Sequence, residues 1–220
     1  MLTRELLSQT LPSLRLHDKV YQALLWMNEN HVTHLPIVEE NKYIGLISEE
    51  DLLQVENDNL PISSLQQSFA KISVKEDEHF LKAIQVAADS GLSIVPVVTE
   101  ENDLIGTVAY NDLLKFSSDF MSLSEPGGLI VLEMDSNQYS FNEISKLVET
   151  NNAQITQLNT SIDPETGLMQ ATIRINKPEV SDVVATFQRY EYNVKYFFGE
   201  ELYTNELKSN YDNLMNYLKI

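Results

Sequence analysis

The stretch HLPIVEENKYIGLISEEDL, residues 34–52, decides the fold of the first half of the chain. Two short apolar runs, residues 35–38 and 43–47, flank a polar turn at residues 39–42. Apolar runs of this length bounded by turn residues predict the two strands of a hairpin. Ser48 follows the second run, where its side chain can cap the first turn of a helix. The stretch therefore predicts strand, strand, helix.

The residues before this stretch add a strand and a helix. Leu14 lies in a short extended segment, and residues 20–29 carry apolar side chains at helical spacing: Val20, Ala23, Leu24 and Met27. Such spacing puts the four side chains on one helix face. The predicted order for residues 14–53 is therefore βαββα.

The same pattern returns at residues 80–114, with a helix, two apolar runs and a helix start in the same order. The two copies agree at a proline, a glycine and an aspartate: Pro36 with Pro96, Gly45 with Gly106, and Asp51 with Asp112. A one-residue insertion in the second hairpin accounts for the shift in spacing. Joint agreement at these positions indicates an internal repeat rather than chance similarity.

The repeated pattern H-L-P-I-V … I-G-L-I-S-x-x-D-L resembles the CBS domain. Two such repeats usually pair into one pseudo-symmetric unit, the Bateman module. The resemblance implies a tandem CBS pair over residues 1–120, with repeats at about 1–58 and 59–120. Because CBS pairs commonly associate as flat dimers, it also implies a homodimer.

The resemblance further implies an adenosine-containing ligand, an adenine nucleotide or nucleoside, between the repeats. The family's aspartate holds the ribose hydroxyls, the hydroxyl residue three positions earlier helps with phosphate, and a basic residue faces the phosphate. The first repeat matches these positions with Asp51, Ser48 and His34. A carboxylate accepts hydrogen bonds from a vicinal diol, and a hydroxyl beside helix N–H groups suits an anion. Glu49 and Glu50 bring negative charge that opposes a polyphosphate.

The second repeat keeps only the aspartate, Asp112. Ala109 replaces the hydroxyl residue, and Ile94 stands at the position of the histidine. This half is poorly suited to phosphate and accepts a nucleoside or no ligand. A structural role remains open for both aspartates, since acidic groups in a first turn stabilise any helix. For the histidine, packing beside a strand is the alternative.

The second half begins after a linker at residues 121–128, rich in Pro, Gly and Ser. Its apolar patterns predict six elements: strands at 129–134, 155–162, 169–175 and 194–198, and helices at 139–149 and shortly after Pro178. This βαββαβ order is the ferredoxin-like arrangement. The whole chain is thus expected to be an α+β protein.

The unit at residues 129–200 resembles an ACT domain, and the architecture is similar to the acetoin-utilisation protein B type. ACT domains often bind amino acids through a glycine-bearing turn after the first strand. The corresponding turn, residues 135–138, has no glycine, which speaks against amino-acid binding. Residues 201–220 carry Leu207, Tyr211, Leu214 and Leu218 at helical spacing. They predict an amphipathic helix docked on its own domain or on a second subunit.

The composition restricts partners and compartment. A net charge of -18 disfavours nucleic acid and anionic lipid, because binding phosphates requires Lys and Arg. The N-terminus lacks the pattern of a secretory signal, and no apolar stretch approaches the length of a membrane span. We therefore expect a cytoplasmic protein. Without cysteine, disulfides and thiolate zinc sites are excluded.

No pattern for catalysis or a metal site is present. The chain has no P-loop, nucleophile elbow or dinucleotide fingerprint, and its 4 histidines do not form a convincing ligand set. We therefore expect a non-catalytic regulatory or sensor protein with an unknown regulated partner and no required cofactor. The alternatives are a degenerate CBS module acting as a dimerisation scaffold, and amino-acid sensing through the ACT-like domain. A ligand site needs Asp51 and Asp112 along an open cleft, whereas a scaffold has a filled one.

Overall fold

The computed structural model describes residues 1–8 and 11–199. The chain divides into two compact units between Phe120 and Met121. Both units mix helices with sheets, which confirms the α+β class. In the described part of the chain, no helix combines the length and apolar character needed to cross a bilayer.

The first unit contains the repeat that the sequence predicts. Its first copy consists of β1 (Leu14–Arg15), α1 (Val20–Asn30), β2 (His34–Glu39), β3 (Lys42–Ser48) and α2 (Glu49–Leu53). Its second copy consists of β4 (Val74–Lys75), α3 (Phe80–Ser90), β5 (Ile94–Val98), β6 (Leu104–Ala109) and α4 (Tyr110–Phe120). The βαββα order of both copies is confirmed.

Each copy builds one three-stranded sheet, β1-β2-β3 or β4-β5-β6, with a parallel and an antiparallel pair. The registers match: Gly45 lies opposite Ile37, and Gly106 lies opposite Val97, each next to a bulge. The hairpin turns also pair reciprocally, since the Tyr43 N–H donates to the Asn102 carbonyl and the Leu104 N–H donates to the Asn41 carbonyl, both at 2.9 Å. The repeats are therefore related by an approximate two-fold axis.

The segment before each repeat packs against the other repeat. The Ser8 N–H donates to the Thr107 carbonyl of β6 at 2.8 Å, and Leu6 is buried in the core of the second repeat. In the same way, the Ala70 N–H donates to the Leu46 carbonyl of β3 at 2.9 Å. These exchanged segments bind the two repeats into one unit and bring Ser8 to the start of α4.

The second unit consists of β7 (Gly128–Met134), α5 (Phe141–Glu149), β8 (Ile155–Ile162), β9 (Met169–Ile175), α6 (Ser181–Arg189) and β10 (Asn193–Phe198). Its antiparallel sheet has the order β10-β7-β9-β8, which confirms the ferredoxin-like arrangement. One face of the sheet packs on both helices around a core that includes Ile130, Ile144, Ile173 and Phe187.

Boundaries in the second unit differ slightly from those expected. Gly128 belongs to β7 rather than to the linker, and a Cβ there would lie 2.1 Å from Val180 Cγ1, so only glycine allows this close approach. Helix α5 begins at Phe141 because Ser140 caps it, its Oγ accepting from the Glu143 N–H at 3.3 Å. Helix α6 begins at Ser181, shortly after Pro178 as expected. The helix predicted at 201–220 lies outside the described residues.

Candidate functional site

The start of α2 brings Ser48 and Asp51 into direct contact. Ser48 Oγ accepts a hydrogen bond from the Asp51 N–H at 3.1 Å and donates one to Asp51 Oδ2 at 2.5 Å. The Ser48 N–H also donates to Asp51 Oδ2 at 3.4 Å, which completes a capping box. The carboxylate therefore stabilises the first turn of α2, as the structural alternative expects.

His34 lies beside this pair and joins the two repeats. The strand register places it opposite Ser48, and its Nδ1 lies 3.1 Å from Ser93 Oγ and accepts from the Ser93 N–H at 3.3 Å. Burial lowers the pKa of His34, while the charge of Asp51 acts in the opposite direction. The structure thus brings His34, Ser48 and Asp51 together, around an imidazole whose uncharged form is favoured.

Asp112 has a different partner at the start of α4. Its Oδ2 accepts a hydrogen bond from Ser8 Oγ, which in turn accepts from the Ala109 N–H at 3.2 Å. Ser8 therefore contacts the carboxylate from another part of the chain, where the first repeat uses its own Ser48. The sequence reasoning missed Ser8, because its role depends on the exchange of segments between repeats.

A cavity of about 720 Å³ opens between the repeats beside Asp112. The ends of α1 and α3 and the start of α4 form its walls, and Asp51 is not part of them. Its polar lining residues are Ser8, Asn30, His31, Thr33, Ser93, Tyr110, Asn111 and Asp112. Of the four residues expected to bind a ligand, Asp112 alone lines this cavity, although its repeat matches the family pattern less well.

Thr33 and Ser93 are further cavity residues that the sequence reasoning passed over. They occupy matching positions, directly before β2 and at the entry to β5, and the Thr33 N–H donates to Ser93 Oγ at 2.9 Å. The Thr33 carbonyl accepts a hydrogen bond from the Glu49 N–H at the start of α2, at 2.8 Å. The Ser93 carbonyl accepts one from the Tyr110 N–H at the start of α4, at 2.9 Å. A small hydroxyl residue at the same place in both copies is the signal that points to them.

The cavity has a polar but nearly uncharged lining. Among the lining residues that the structure describes, Asp112 is the one acidic residue, and neither Lys nor Arg is present. Apolar side chains of Leu11, Val32 and Leu92 also line it. A carboxylate has about four acceptor positions, so Asp112 can bind a diol while Ser8 remains hydrogen-bonded to it. This combination of apolar surface and one carboxylate suits a flat ring attached to a sugar.

The second unit has an acidic cavity of its own, of about 400 Å³. Glu133, Glu143 and Glu191 line it together with Tyr192. Burial and the hydrogen bond to Glu143 raise the pKa of Tyr192 to about 12. Within the described residues, no group of three or more His, Cys, Asp or Glu is placed to hold a metal ion.

Comparison with known proteins identifies the family of the first unit. The family model of the CBS domain matches residues 4–58 and 70–119. A curated inosine-5'-monophosphate dehydrogenase of Methanocaldococcus jannaschii is 23% identical over 133 residues, which cover 60% of this chain and 27% of that protein. This chain thus spans about a quarter of the length of the first curated relatives it matches.

Two of the similar solved structures are named after an ACT domain and after acetoin utilization. A CBS domain pair/ACT domain protein from Thermotoga maritima has a TM-score of 0.49 at 20% identity, covering 55% of this chain and 98% of that chain. An acetoin utilization protein from Vibrio cholerae has a TM-score of 0.48 at 18% identity, covering 56% of this chain and 95% of that chain. With the family model matched in both copies, residues 4–58 and 70–119 are two CBS domains, and the first unit is a tandem CBS pair.

Proposed function

We propose that this protein is a regulatory sensor that binds an adenosine-containing ligand in the cavity beside Asp112. The observation that carries the proposal is an open cavity of about 720 Å³ with this carboxylate on its wall. The ribose diol donates to Asp112, and the base packs against the apolar wall. The cavity is open at Asp112, as a ligand site requires and a scaffold does not.

Asp51, Ser48 and His34 form the corresponding set in the other half of the pair. We propose that they bind a second, weaker ligand. Ser48 already engages the Asp51 carboxylate in the capping box, and Glu49 and Glu50 follow in the same turn. A ligand here has to compete with the capping hydrogen bonds and to approach three acidic groups.

Sensing requires that the ligand favour one arrangement of the repeats over another. The cavity walls come from both repeats and from the segment that contains Ser8. A ligand that contacts all three favours the arrangement in which they surround it, by as much as its affinity differs between the two states. No catalytic step is needed for this output, and the cytoplasm, where adenosine compounds are abundant, is the compartment that fits it.

A scaffold without ligand is the second candidate, and two observations favour it. Serine hydroxyls already engage both carboxylates, Asp51 through Ser48 and Asp112 through Ser8. The equivalent residues Leu53 and Leu114 are also 67% and 62% exposed in the single chain, which fits a homodimer built on these helices.

Sedimentation equilibrium tests the dimer, and a mass of one chain at all concentrations contradicts it.

A thermal-shift screen separates the two candidates. The full chain is heated with adenosine, AMP, ADP, ATP, NAD, S-adenosylmethionine and amino acids, and the active compounds are repeated on Asp112→Asn and Asp51→Asn. At a hundredfold excess over Kd, a ligand adds about 3 kcal/mol to the free energy of unfolding. We expect an adenosine compound to raise the Tm of the parent and of Asp51→Asn, but not of Asp112→Asn.

A shift with amino acids alone would transfer the sensing role to the second unit. No shift with any compound would leave the scaffold as the function of the CBS pair. A shift that survives Asp112→Asn but disappears in Asp51→Asn would place the main site in the other half.

A further inference from the structure

The Asp112 cavity has no counterpart of His34, and the hydroxyl beside its carboxylate comes from Ser8, which donates its proton to Asp112. Ala109 stands where the first repeat has the Ser48 hydroxyl, and Ile94 stands where it has His34. Ile94 is fully buried in the core, so its position offers no polar contact at all. Neither Lys nor Arg is among the described residues that line the cavity, so no side chain with a permanent positive charge faces a bound phosphate there.

Two of the N–H groups at the helix start beside the cavity are already engaged. Of the N–H groups there, that of Ala109 donates to Ser8 Oγ at 3.2 Å, and that of Tyr110 donates to the Ser93 carbonyl at 2.9 Å. These groups are therefore not available to a ligand. Asp112 itself lies in the first turn, where its negative charge offsets the partial positive charge of the helix N-terminus.

We infer that this cavity selects a ribonucleoside whose 5' substituent is uncharged, and discriminates against the 5'-phosphate. The inference rests on the proposed function and specifies its ligand class. A phosphate carries about two negative charges at neutral pH, and placing it near a carboxylate without a cation is unfavourable because the charges repel. The diol of a nucleoside, in contrast, makes the same hydrogen bonds to Asp112 with no such penalty.

Calorimetric titration of the full chain with adenosine and with AMP tests this selectivity. We expect adenosine to bind at least about tenfold more tightly than AMP, with a larger gap at low salt because screening is weaker. Equal or tighter binding of AMP, lost in Asp112→Asn, would overturn the selectivity and leave the proposed function intact. Absence of binding for both compounds would overturn the proposed function itself.

A charge introduced at Asn111 gives a second, independent readout. Asn111 is exposed and lines the cavity, so Asn111→Lys adds a cation there without disturbing the core. We expect Asn111→Lys to bind AMP about tenfold more tightly than the parent does, with little change in its affinity for adenosine. The neutral control Asn111→Gln should leave the ratio of the two affinities unchanged. An AMP-to-adenosine ratio that is the same in Asn111→Lys and Asn111→Gln would contradict charge-based selection at this site.

Discussion

At the scale of single residues, two aspartates at equivalent positions have different surroundings. Asp51 belongs to a local capping box with Ser48, whereas Asp112 is held by Ser8 from another segment and faces a cavity. The sequence motif predicts that both lie at a helix start, which the structure confirms. It cannot predict which one faces open space, because that depends on the residues packed around each.

Burial of His34 makes the free energy of unfolding depend on pH. Its folded pKa lies below the unfolded value of 6.5, so the unfolded chain binds more protons in the interval between them. The neutral imidazole therefore contributes stability that is present above pH 6.5 and is lost as the pH falls through the folded pKa. His34→Gln lacks this contribution.

Urea unfolding of the parent and of His34→Gln, at a pH above 6.5 and at one well below it, measures the effect. The parent should lose stability relative to His34→Gln on acidification, because only the parent has the buried imidazole that must be protonated. The carboxylates are common to both proteins, so their contributions to the pH dependence cancel in the comparison. A difference that is independent of pH, or that grows in favour of the parent, would show that burial does not control this histidine.

At the scale of elements, helices α1 and α3 end in the same left-handed conformation with different residues. His31 ends α1 with φ 54°, and Gly91 ends α3 with φ 62°. Glycine adopts this conformation without a steric penalty, whereas other residues are strained there. The repeat pattern predicts both helices, but histidine at the first end gives no sequence signal for this turn.

Reciprocal substitutions at the two helix ends should therefore have opposite effects. We expect His31→Gly to raise the free energy of unfolding by about 1 kcal/mol and Gly91→Ala to lower it by about the same amount. A Cβ at Gly91 meets no atom within 4 Å, so the change there is conformational and not a clash. Chemical denaturation without ligand measures both. Destabilisation by His31→Gly would mean that the histidine side chain makes compensating contacts.

At the scale of the whole molecule, the repeat and the ferredoxin-like order follow from sequence periodicity alone. Matched prolines, glycines and aspartates identify the two CBS copies, a continuous apolar run identifies β7, and alternating apolar residues identify β9. The candidate site is less predictable, since Ser8 reaches α4 only through the exchange of segments between repeats. The cavity beside Asp112 is lined by four stretches of the chain: Ser8 with Leu11, and residues within 30–33, 87–93 and 109–112. A local motif describes only one of them.

The central claim is that Asp112 binds the ribose diol of a ligand between the CBS repeats. Calorimetry with adenosine and 2',3'-dideoxyadenosine, on the parent and on Asp112→Asn, tests it as a double-mutant cycle. We expect that removing the diol weakens binding to the parent about tenfold or more and has little further effect in Asp112→Asn. Dideoxyadenosine binding to the parent as tightly as adenosine, or a diol preference that persists in Asp112→Asn, would contradict it.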